Sequence, residues 1–115
     1  MRPLLFLALS AAVFAQPGAD LNQALKPERE RIDSIDRQII QLLNERAAVV
    51  HEVGVIKQKY HAPASAPGRE QQVLDRAAAQ ARAPLTPAAV QAIYKAILEQ
   101  MTAMEAAEIE KSQQR

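Results

Sequence analysis

From Pro27 to Tyr60 the chain repeats apolar side chains at steps of three and four: Ile32, Ile35, Ile39, Leu42/Leu43, Val49/Val50, Val53, Ile56 and Tyr60. On a helix of 3.6 residues per turn these steps gather into one stripe. Pro27 suits a first helical turn, where its missing N–H costs nothing, so a helix is expected over residues 27–60. At 1.5 Å per residue it would run ~50 Å. His61 to Gly68 holds two prolines and a glycine and predicts a loop. A shorter helix is expected over residues 69–82, with Val73, Leu74 and several alanines facing inward. A turn follows at Ala83-Pro84-Leu85. Thr86 is then a good N-cap, with Pro87 at the first helical position. The third helix carries Val90, Ile93/Tyr94, Ile97/Leu98, Met101 and Met104, and is expected to fray past Glu110. No stretch alternates with period two, and no segment repeats. The fold class is all-α, with a long, a short and a long helix.

The stripe on the first helix is longer than the remaining half of a 100-residue domain can easily cover. A helical homodimer, in which two such helices cover each other, is the physical expectation.

The N-terminus has a different character. Arg2 precedes an apolar run, Leu4 to Phe14, broken only by Ser10, and Val13-Phe14-Ala15 places small residues before a cleavage point. This predicts a secretory signal peptide over residues 1–15. The run has about half of the ~20 apolar residues a membrane-spanning helix needs. Export to the periplasm or the medium follows, with no membrane attachment after cleavage. Residues 16–26 are expected to form a flexible leader, 27–110 the folded domain, and 111–115 a frayed tail. Cleavage removes Arg2 alone among the charged side chains, leaving 13 basic and 13 acidic ones. A chain so balanced is no general nucleic-acid binder, which needs a basic surface to displace counterions. There are no cysteines, so stability must come from packing. His51 and His61 lack companions at ligand spacing, and no metal site is expected.

Charges interrupt the apolar stripe. Arg46 sits on it between Leu42/Leu43 and Val49/Val50, and Lys57 is eleven residues on. Eleven residues make almost three turns, so the two share a face ~16 Å apart along the axis. Their long stems would let both heads converge on one small anion. Arg29 also lies near the stripe, but ~25 Å from Arg46. It could reach such a site only in a partner chain. Two readings fit equally well: cations snorkelling from the edge of an apolar face, or a basic pocket for a small dianion inside a helical bundle. Gly54, costly inside a helix, points to close packing or substrate approach.

The run Arg29-x-x-Ile32-x-x-Ile35-Asp36-x-x-Ile39-x-x-Leu42-Leu43-x-Glu45-Arg46, then Glu52-Val53-Gly54-x-x-Lys57, Pro67-x-Arg69-Glu70 and Val73-Leu74, resembles the all-helical chorismate mutase family over residues 28–105. The resemblance implies three helices per chain, two intertwined chains and two active sites. It implies rearrangement of chorismate to prephenate, on the route to phenylalanine and tyrosine, with no cofactor or metal. It further implies that Arg46 holds one substrate carboxylate, helped by Arg29 from the other chain. Lys57 would contact the other carboxylate side and the ether oxygen, Arg69 would order the loop end of the site, and Glu70 would accept a hydrogen bond from the ring hydroxyl. Glu105 stands where the family places a glutamine or glutamate on the ether oxygen. The residue types suit an intramolecular reaction. Arginine holds a flexible dianion in its reactive conformer, and donors meet the charge growing on the ether oxygen.

Three departures stand out. Ala66 occupies a position where the family usually carries an aspartate near the ring hydroxyl. Met101 replaces a small hydroxyl residue. Glu105 must carry a proton to donate to the ether oxygen, so activity is expected to fall as pH rises through neutrality. Glu105 could instead be an exposed residue near a frayed helix end. Isochorismate-pyruvate lyase, a branch of the same fold that also tends to lack that aspartate, is the alternative activity, although Glu70 favours the mutase. A non-catalytic exported helical dimer, acting as a scaffold or binding module, is the alternative of another class.

Overall fold

The computed structural model describes Pro3 and residues 17–115. The signal peptide expected over residues 1–15 lies outside the described residues. Three helices follow in order: α1 (Pro17–Lys59), α2 (Pro67–Ala78) and α3 (Pro87–Gln113). The described residues are otherwise turns and loops, and the fold is all-α with the expected long, short, long order.

The boundaries correct several expectations. The leader expected over residues 16–26 is helical from Pro17 onward, and Pro27 lies inside α1. Asp20 sits in the first turn, where a carboxylate complements the helix dipole. Leu21, Gln23, Ala24, Leu25 and Lys26 are good helix formers. Extending an existing helix past Pro27 needs no new nucleus, which offsets the backbone bond the proline removes. Helix α2 starts at Pro67 rather than 69 and ends at Ala78 rather than 82. Pro67 takes the first helical position, which its fixed φ favours. Helix α3 is regular to Gln113, past the fraying expected at Glu110. Thr86 caps it as expected, its Oγ1 accepting from Ala89 N at 3.1 Å.

The chain divides into two compact units, Met1–Ile39 and Ile40–Arg115. In the first, the described part is the opening of α1. Its polar side is tied by Arg29 donating to Asn22 Oδ1 at 3.0 Å and by an Arg31–Glu28 pair at 3.1 Å. Its apolar side chains Leu21, Ile32, Ile35 and Ile39 are exposed.

The second unit holds the rest of α1 with α2 and α3. Helix α2 packs on α3, and Ala77, Val90 and Met101 are its buried apolar side chains. The end of α1 runs antiparallel to the end of α3: His51 pairs with Glu108, and Gly54 lies against Glu105. Gly54 is buried, and a Cβ there would stand 3.7 Å from Glu105 Cγ. Its small size lets the two helices approach, as the sequence suggested. Helix α1 then stops in a tight reversal. Ala62 N donates to Lys57 O at 2.9 Å and His61 N to Gln58 O at 3.2 Å, with His61 at φ 53. These two bonds close the carbonyls of the last turn, with a histidine in the left-handed position usually given to glycine.

Candidate functional site

The second unit contains a cavity of about 350 Å³ whose walls come from α1, the loop before α2, α2 itself and α3. That volume suits a small organic ligand. Five residues singled out from the sequence line it: Arg46, Lys57, Arg69, Glu70 and Glu105. Arg46 and Lys57 therefore do share a face, as eleven residues of helix require. Val49, Val50 and Val53 fill the wall between them. The sixth residue, Arg29, belongs to the other unit, where its guanidinium is bonded to Asn22.

Each charged group is held differently. Lys57 Nζ donates to Glu105 Oε2 at 2.9 Å and to the Ala64 carbonyl at 2.7 Å. Two acceptors from separate segments fix the ammonium in place, with a charge-assisted bond on one side. The Glu105 side chain is only 8% exposed. It is a buried residue of regular helix, which removes the reading of an exposed group near a frayed end. Its burial follows from Gly54, which lets the α3 backbone come close enough to α1 for a carboxylate to meet Lys57. Arg46 is half-buried, and no carboxylate pairs with it among the described residues. It faces the cavity as an uncompensated cation. Arg69 lines the cavity but donates along its own helix to Gln72 Oε1 at 2.7 Å.

The other end of the cavity is less polar. Ala66, the N-cap of α2, offers no side-chain hydrogen bond to the helix, and the buried Met101 also lines the cavity. Glu70 sits in the first turn of α2, where the helix dipole favours a carboxylate. Its Oε1 accepts a hydrogen bond from Thr102 Oγ1 at 3.3 Å.

Thr102 and the Ala64 carbonyl are the two participants that the residue pattern did not single out. Thr102 adjoins Met101 and lies three residues before Glu105, so its place on α3 was readable. Its partner on α2 was not. The Ala64 carbonyl had no signal, because any loop residue offers the same group.

Taken together, three cations face two carboxylates and an apolar wall inside a small helical domain. Such a site suits a compact molecule carrying two negative charges. Residues 28–106 match the family described as chorismate mutase type II, and the chain belongs to that family. A bifunctional chorismate mutase/prephenate dehydratase of Aquifex aeolicus is 41% identical over 54 residues, 47% of this chain and 15% of that protein. A protein of the same description from Neisseria gonorrhoeae is 33% identical over 85 residues, 74% of this chain and 23% of that protein. The T-protein of Haemophilus influenzae is 46% identical over 48 residues, 42% of this chain and 13% of that protein. The chain thus spans less than a quarter of the length of these relatives.

Proposed function

We propose that this protein is an exported chorismate mutase, converting chorismate to prephenate as a homodimer. The observation that carries the activity is the gathering of Arg46, Lys57 and Glu105 around one cavity, with Lys57 fixed by two acceptors. The reaction breaks an ether C–O bond as a C–C bond forms within one molecule, so no nucleophile is required. Arg46, with no ion-pair partner among the described residues, takes one substrate carboxylate. The Lys57 ammonium, held in a part-buried position, faces the ether oxygen as charge develops there. A donor fixed before the reaction needs no reorganisation during it, which is the main source of such catalysis. Glu70 accepts from the ring hydroxyl.

Charge bookkeeping supports a second chain. Three cations and two carboxylates leave one net positive charge in the cavity, and a dianion would turn it negative. Arg29 from a partner subunit restores the balance. The exposed stripe of α1 supports the same dimer. Ile32, Ile35, Ile39, Leu42, Val49 and Ile56 are each 48–62% exposed in the single chain, and covering them is strongly favourable. Export rests on the character of residues 1–15 and is checked by the mass of the protein recovered outside the cytoplasm.

The test of activity is incubation with chorismate and, separately, with isochorismate, following loss of each by absorbance. Prephenate from chorismate supports the mutase. Salicylate and pyruvate from isochorismate would replace it with the lyase, and a stable dimer inert to both would leave a binding module.

A further inference from the structure

Glu70 stands between two cavities. One is the cationic cavity described above. The other, of about 440 Å³, is lined by Leu74 and Leu98 and by the charged Lys95 and Glu99. Glu70 and Thr102 line both. A glutamate has three side-chain torsions, and Lys95 offers its carboxylate an attractive partner on the second side. Thr102 supplies the one side-chain hydrogen bond that Glu70 makes among the described residues. A threonine hydroxyl has a single proton, and inside a helix it commonly goes back to the carbonyl one turn earlier. Here it goes across to α2 instead.

We infer that Thr102 is the positioning residue for Glu70. Its hydroxyl anchors Oε1 on α3 and leaves Oε2 to accept from the substrate's ring hydroxyl. This inference rests on the mutase reading of the cavity. It also explains how the hydroxyl end works with Ala66 and Met101 in place of polar side chains. The aim of Glu70 is set from α3 rather than from the start of α2. A carboxylate bonded through one oxygen keeps lone pairs on the other, so anchoring and acceptance do not compete.

The test compares the full chain with Thr102→Val, Thr102→Ser, Glu70→Ala and the Glu70→Ala/Thr102→Val double variant, using chorismate. Thr102→Val keeps the shape and removes the donor. It is expected to lower kcat/KM about tenfold, the worth of one hydrogen bond to a charged group. The loss should fall mainly on KM, because the ring hydroxyl is bound in ground and transition state alike. Thr102→Ser should restore activity to within about twofold, and Thr102→Val should add nothing in the Glu70→Ala background, where the acceptor is gone. Thr102→Ala replaces Thr102→Val if the valine protein does not fold. Unchanged kinetics in the variant lacking the hydroxyl, or the same loss with and without Glu70, overturns the inference while leaving the mutase intact. A wild-type protein that leaves chorismate untouched overturns the mutase reading, and the inference with it.

Discussion

At the α1 end of the cavity Lys57 has two acceptors, one on α3 and one in the loop. At the α2 end the helix begins without a side-chain cap, and Glu70 leans on one hydroxyl. The first end is held by an ion pair and over-determined, and the second is lightly held. The difference follows from where polar groups can be afforded. Lys57 and Glu105 neutralise each other, so both tolerate burial. Among the described residues no cation is paired with Glu70, and it stays half-buried while Met101 is buried. Strength is concentrated where the proposed reaction would develop charge, and the end proposed for the ring hydroxyl is left to orientation.

The largest effect should come from breaking the strong end. Lys57→Ala removes the proposed donor to the ether oxygen and is expected to lower kcat by at least about 100-fold. It also strands the Glu105 carboxylate, costing about 2 kcal/mol of stability in urea unfolding, less than a fully buried pair would lose. A variant with near-normal turnover would remove Lys57 from the mechanism. Glu105→Gln comes next. The amide keeps an oxygen to accept from the Lys57 ammonium but removes the charge that pairs with it, and is expected to cost about 1 kcal/mol in urea unfolding, as a charge-assisted hydrogen bond becomes an ordinary one. Unchanged stability would show that the ion pair contributes nothing to the contact between α1 and α3.

Strengthening the weak end gives a smaller and opposite effect. Ala66→Asp supplies the missing cap of α2 and is expected to add about 1 kcal/mol, raising the thermal midpoint by roughly 4–8 °C for a domain of this size. It also returns a polar group to the hydroxyl end, so KM for chorismate should fall. A lowered midpoint would mean that Ala66 is required by packing. The smallest effect belongs to the exposed His51–Glu108 pair, whose side chains are 57% and 45% exposed. His51→Ala should change stability by less than about 0.5 kcal/mol and leave kcat unchanged. A large loss there would place the antiparallel α1–α3 contact, rather than the cavity ion pair, as the main tie between those helices.

Much of this was legible along the chain. Periodicity identified three helices, because burial on one face imposes steps of three and four wherever a helix packs. Thr86-Pro87 marked the start of α3 because cap and proline act on their own first turn. The shared face of Arg46 and Lys57 followed from helical geometry alone. The start of α1 was less legible. Pro27 is equally a first-turn residue and a tolerated interior one, and only the continuing helix upstream decides which.

Returning to the cavity's two ends, local spacing determined which residues of α1 would face a ligand, since one helix fixes its own angular order. It could not pair Lys57 with the Ala64 carbonyl, bury Glu105 against Gly54, or join Thr102 to Glu70. Those contacts join segments 7 to 51 residues apart in the chain. Their existence depends on the register at which helices pack, which side-chain volume and the absence of a Cβ at Gly54 settle only in three dimensions.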